Sequence, residues 1–196
     1  MEKRINWLER QVKRLLARDS HITEPVWVDL DFPLVAKTTG VGLPSYNTLQ
    51  GNLTMLQWAV NDALQLDTRE LIHGWKEGDD LHFHCHIITG ASDGTDRRVA
   101  FSLEFTKGDL GGVLAANITL TSPDYIIPAG TAALTHLLVS IGIADLTGYH
   151  IGGHIKARFK RIAPTTGTAP SANPFCEMVQ AHVLINSAGS RGIGTK

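Results

Sequence analysis

The run Leu81-His82-Phe83-His84-Cys85-His86-Ile87 places a histidine at every second residue. In an extended chain, alternation puts His82, His84 and His86 on one face and Leu81, Phe83, Cys85 and Ile87 on the other. Imidazoles at i and i+2 on a strand can converge on one metal ion. Three in line span about 13 Å, so one chain cannot aim all three at a single ion. Two other uses fit the row. It can line a subunit interface or solvent as a polar face, or one histidine from each of three chains can meet on a symmetry axis.

Gly78 followed after five residues by His84-Cys85-His86 matches the first part of the cupin metal motif. The glutamate that should follow is missing, since Gly90 and Ala91 stand there. Pro128-Ala129-Gly130 is followed by Leu134 and His136 at the wrong spacing for the second motif. A metal-binding cupin-like enzyme is therefore a minor alternative, and no cofactor or firm metal site is expected. Other catalytic signatures are absent: there is no Gly-x-Ser-x-Gly, no Walker A lysine and no His-Glu-x-x-His. Acids stand singly in turn sequences (Asp79, Asp80, Asp93, Asp96, Asp109), which is turn chemistry rather than a paired general acid and base. Cys85 and Cys176 alternate with apolar neighbours and read as reduced, buried thiols. Trp27, Trp58 and Trp75 sit in or beside strands, where sugar-stacking and core aromatics look alike.

The elements that must position these groups are short and alternating from Val26 onward, punctuated by glycine, proline and Asx residues. Strands are expected at Val26–Asp31, Met55–Val60, Leu81–Thr89, Arg98–Thr106, Val113–Thr121, Thr135–Ser140, His154–Arg161 and Glu177–Asn186. Val99, Phe101, Leu103 and Phe105 should face one way and Ala100, Ser102 and Glu104 the other. Likewise Ile155, Ala157 and Phe159 should face inward, and His154, Lys156, Arg158 and Lys160 outward as a solvated or interfacial face. Thr38–Asn52 and Ala163–Pro174 read as loops. Eight or more strands without long interleaved helices predict a mainly β fold, a single jelly-roll-like antiparallel β-sandwich. It spans 21–196 and ends in a flexible tail from Ser187.

Residues 1–20 form a separate piece, a short N-terminal α-helical arm. Six basic groups stand there against three acids, so with a chain total of −1 the remainder carries −4. Ile5, Leu8, Val12 and Leu15 follow the a/d spacing of a coiled coil. A helix this short is marginal alone and needs a surface or a symmetry mate. β-branched residues at a with Leu at d lean towards two strands. The chain of 196 residues is 43% hydrophobic and 19% charged, which excludes wholesale disorder. The charge balance excludes a generic nucleic-acid binder. No apolar run reaches the ~20 residues of a membrane helix, so neither nucleic acid nor membrane is an expected partner.

Trp75-Lys76-Glu77-Gly78-Asp79-Asp80-Leu81-His82-Phe83-His84-Cys85-His86 resembles a "KEG-x-DL-H-x-H-x-H" strand of tailed-bacteriophage virion proteins. Phe101-Ser102-Leu103-Glu104-Phe105 resembles that family's next strand, and Ala133-Leu134-Thr135-His136 its "THxL" segment. Ser187-Ala188-Gly189-Ser190-Arg191 is similar to its Gly-Ser-Arg terminus. The resemblance runs from about Pro25 to Arg191, and "LERQV-x-RLL" arms recur in the family. Cys85 and the five residues after Arg191 depart from its pattern. The resemblance implies a virion location and a non-enzymatic, homotrimeric fibre, collar or head-decoration subunit. Its partners would be its own copies and particle proteins such as capsid, portal/neck or tail. The alternative from another class is a host-receptor or carbohydrate-binding β-sandwich, with the two loops reaching a surface glycan.

Overall fold

The computed structural model describes residues 21–35 and 42–187. The arm with Ile5, Leu8, Val12 and Leu15 and the tail beyond Ser187 lie outside the described residues. Twelve strands occur among the described residues: β1 (His21–Val35), β2 (Ser45–Gln50), β3 (Leu53–Gln57), β4 (Ala63–Leu66), β5 (Arg69–Glu70) and β6 (Leu81–Ile88). The chain continues with β7 (Arg97–Gly108), β8 (Ile118–Thr121), β9 (Tyr125–Ile127), β10 (His136–Ala144), β11 (His154–Ile162) and β12 (Phe175–Ser187). All pairings are antiparallel, and no helix occurs among the described residues.

The main strand order is β10-β6-β12-β1-β4-β11-β7-β8. Through Pro33, β1 pairs only with β12; at Leu34 and Val35 it pairs with β4. For most of its length it is thus a layer edge, which is where a strand can hold Pro25 and Pro33 without breaking a ladder. β1 joins two halves, β10-β6-β12-β1 and β4-β11-β7-β8, whose apolar sides meet. The Phe83 ring of β6 lies 5.3 Å from Phe32 of β1 and 5.9 Å from Phe105 of β7. Phe159 of β11 stacks on Phe101 at 5.1 Å and takes Trp58 edge-on at 5.0 Å. The ends of the order also approach each other. A Cβ on Gly142 of β10, where φ is +152°, would lie 3.4 Å from the Leu120 side chain of β8.

The expected alternation holds in β7 and β11: Val99, Phe101, Leu103, Phe105, Ile155, Ala157 and Phe159 are all buried. Several boundaries differ from expectation. Thr38–Asn52 is not loop throughout, because Ser45–Gln50 forms β2 against β3. Val113–Thr121 shortens to β8 at its last four residues, and β4, β5 and β9 were not anticipated. These strands run two to six residues and are held by pairing with longer neighbours, so their own sequences carry too few alternations to announce them. Thr135–Ser140 extends to Ala144 through a bulge between Ser140 and Gly142. Buried Arg161, at the end of β11, donates to the Trp58 carbonyl and to Asn173 Oδ1. Burial lowers its pKa to about 10, with Asp62 opposing.

Ala163–Pro174 is free of strand, as expected, yet held along its length: Thr168 and Pro174 carbonyls accept from the Arg98 and Trp58 amides, and Asp93 accepts from the Ser171 amide. Asp124 accepts from both the amide and the hydroxyl of Thr165 and of Thr166, at 2.8–2.9 Å. These bonds, the Thr165 amide first, lower the carboxyl pKa to about 2.

Phe83→Ala is expected to lower stability by about 3–5 kcal/mol in urea unfolding of the full chain, because the ring bridges both halves. Asp124 has a folded pKa below its unfolded one. Its contribution is therefore complete above pH 3.8 and lost as pH falls through about 2. Protection of the Thr165 and Thr166 amides from hydrogen exchange, relative to an unstructured chain at the same pH, should be full at pH 4 and fall towards pH 2, and Asp124→Asn should reduce it at neutral pH.

Candidate functional site

β6 lies between β12 and β10, so its outward residues have neighbours on both sides. Register sets His82 opposite His182, His84 opposite Gln180 and His86 opposite Met178. On the other flank Ile143 faces His82, Ser140 faces His84 and Leu138 faces His86. β1 adds Asp29 opposite His182 and Asp31 opposite Gln180. The histidine row expected along one strand is thus part of a sheet face that also holds His136 and His182.

The separation of faces on β6 holds: Leu81, Phe83, Cys85 and Ile87 are buried in the core. The three histidines do not behave alike. His82 and His86 are half-buried, whereas His84 is only 3% exposed, covered from the outward side. His82 lies beside the Trp27 ring at 5.0 Å. His86 stacks on His136 at 4.9 Å, with Nδ1 and Nε2 2.8 Å apart in a hydrogen bond that one ring donates and the other accepts. His84 has its ring centroid 4.3 Å from that of His182 and 5.2 Å from that of His86.

A polar relay runs beside His84. His182 Nε2 stands 3.1 Å from Asp29 Oδ1. Gln180, itself buried, donates from Nε2 to Asp31 Oδ1 at 2.6 Å. Its carbonyl oxygen lies 3.3 Å from His84 Nε2, an arrangement in which His84 donates. Burial foremost, and then the proximity of His182, lowers the His84 pKa, while the His82 backbone and then Gln180 oppose them by hydrogen bonding. His84 is therefore neutral at pH 7, the form in which an imidazole keeps a lone pair for bonding. His82 and His86 are thus drawn to different neighbours. The pair with the smaller ring separation, His84 and His182, was hidden from sequence reasoning, since 97 residues separate them and only strand pairing joins them.

Apolar side chains border these imidazoles. Trp27, Leu138, Ile143 and Met178 are 51, 47, 54 and 46% exposed. Trp58 and Trp75, by contrast, are wholly buried in the core. A cavity of about 330 Å³ lies between His86, His136, Met55, Ile88 and Met178. Cys85 and Cys176 are free and buried, as expected, and burial raises the Cys85 thiol pKa. On β11, Lys156 donates to the Leu66 carbonyl at 2.8 Å and Arg158 pairs with Glu104 at 3.6 Å. Those bonds fit the solvated strand face expected of this row. Two of the turn acids tie distant loops together instead of acting within their own turns: Asp96 accepts from the Ala129 amide, and Asp109 accepts from the amide of His150 and bonds its ring.

No protein-family model matches the chain, and no curated protein matches it. Among solved structures, one titled "Structure of infectious bursal disease virus Gx strain" is similar over 85% of this chain and 34% of that chain, at 10% identity and a TM-score of 0.38. The chain spans about a third of that viral chain's length, and a likeness so coarse assigns neither fold nor function.

Gln180→Ala leaves Asp31 and His84 each without its partner. We expect a loss of about 1–3 kcal/mol in chemical unfolding. Gln180→Met, of similar volume, should recover none of the polar part.

Proposed function

We propose that this chain is a non-enzymatic structural protein of a virus particle, a jelly-roll β-sandwich that assembles with its own copies, as a trimer, and holds to neighbouring particle proteins. The observation that carries the reading is the outward face of β1, β12, β6 and β10. An antiparallel layer that turns one face to water normally reads apolar inside and polar outside. Here the outward positions include Trp27, Leu138, Ile143 and Met178, all of them accessible. Exposed apolar groups gathered on one face mark an interaction surface, and Trp and Met are enriched at interfaces.

Strand order supports the jelly-roll part. Eight strands in chain order, β1, β4, β6, β7, β8, β10, β11 and β12, pair first with eighth, second with seventh, third with sixth and fourth with fifth. That nesting is what a long antiparallel hairpin acquires when it is rolled up, a plan used by capsid proteins, lectins and cupins alike. Because the plan hosts enzymes as well as structural proteins, function has to rest on the site. A catalytic pocket inside the roll would need polar groups converging there. The inward side of β6 carries Leu81, Phe83, Cys85 and Ile87 instead, which favours a structural role. The trimer, the virion location and the attachment to other particle proteins come from the resemblance to phage virion proteins.

Multi-angle light scattering of the full chain at micromolar concentration should give a discrete trimer. Trp27→Glu with Ile143→Glu should shift it towards monomer while the β-type circular dichroism persists. A wild-type monomer, or a trimer indifferent to both changes, would overturn assembly through this face.

A further inference from the structure

Strand pairing brings together three metal-donor side chains that lie far apart in the chain. Asp29 comes from β1, His84 from β6 and His182 from β12, the strand between them. One ring nitrogen from each imidazole and one carboxylate oxygen all lie within 4.8 Å of one another. Metal bonds of about 2.0–2.2 Å put tetrahedral donor atoms about 3.5 Å apart. Asp29 and His182 stand somewhat closer than that, at 3.1 Å, and both are half-exposed, so their side chains are the ones that would move to close the set around buried His84.

A second, independent feature points to a ligand. The Nδ1 atom of His84 is buried and makes no well-formed hydrogen bond, although the His82 backbone interacts with the ring, in a side chain that is itself 3% exposed. Buried polar atoms are nearly always paired, and an orphan often marks an ion or water that completes it. The other nitrogen, Nε2, gives its proton to Gln180, whose orientation is held by Asp31. In metal-binding histidines one N–H characteristically goes to an oxygen acceptor, which leaves the other nitrogen's lone pair for the ion.

We infer that Asp29, His84 and His182 form a binding site for a borderline divalent cation, zinc or a neighbour in the first transition series. Two imidazoles and one carboxylate suit such ions, whereas calcium and magnesium require oxygen donors. Three protein donors leave one position for water or for a donor from another molecule. His86 and His136 are not part of the site. Their facing nitrogens satisfy each other at 2.8 Å. The site runs across three strands rather than along the His82-His84-His86 row, and it does not depend on the assembly proposed above.

The test uses the full chain, purified without a histidine tag and stripped with a chelator. Cobalt(II) is titrated in and followed by its visible absorption, and zinc(II) is then added in competition. One equivalent per chain should bind, zinc should displace cobalt, and His182→Gln and Asp29→Asn should each weaken binding at least tenfold. His136→Gln should leave it within about twofold. His182 and Asp29 are half-exposed, so these variants keep the test decisive even if His84→Gln fails to fold. Absence of saturable binding, unchanged affinity in both His182→Gln and Asp29→Asn, or an equal loss in His136→Gln would each overturn the site.

Discussion

Everything distinctive about this protein depends on the two-residue period of β6. Four of its side chains must be apolar because Phe83 is the ring through which the two halves of the strand order touch, between Phe32 and Phe105. The same period forces the intervening side chains to the opposite surface of the layer. β6 is flanked on both sides, so that surface is crowded, and the imidazoles pack against residues of β12 and β10 rather than standing free in water. A core requirement on one face thus creates a concentrated set of nitrogen donors on the other.

Crowding also explains why the histidines differ. His84 sits mid-strand with neighbours on every side and is sealed, while His82 and His86 keep partial access to solvent. Sealing a polar ring is costly unless its nitrogens are used. One is used, through Gln180 and Asp31; the other is left buried without a well-formed hydrogen bond. Around this spot lie side chains that an isolated domain has no reason to expose, Trp27 and Ile143 among them. An incompletely satisfied ring and exposed apolar side chains thus meet on this face.

Irregularities in the ladders shape that face as much as the regular pairing does. Ile141 and Ile143 stand two apart and would share a face in a regular strand. The bulge before Gly142 separates them, leaving Ile141 buried and Ile143 54% exposed. A similar shift in β12 separates Cys176, in the core, from Met178, which is 46% exposed. One extra residue reverses the parity of all that follow it. The glycine matters here in its own right, because a φ of +152° is a conformation that side-chain-bearing residues rarely adopt.

Read alone, the sequence determined the antiparallel β character, the faces of β6, β7 and β11, the reduced buried cysteines and the strand-free stretch 163–174. These are consequences of local alternation and turn chemistry, which act over a few residues and leave their period in the chain. It could not separate exposed Trp27 from buried Trp58 and Trp75, or detect β2 and β4, or place Ile143 outside. Nor could it join His84 to His182 and Asp29. Those outcomes were decided by the tertiary structure, because they depend on which strands pair, in what register and past which bulges. Such pairings join residues tens of positions apart, and no local pattern of residues encodes them.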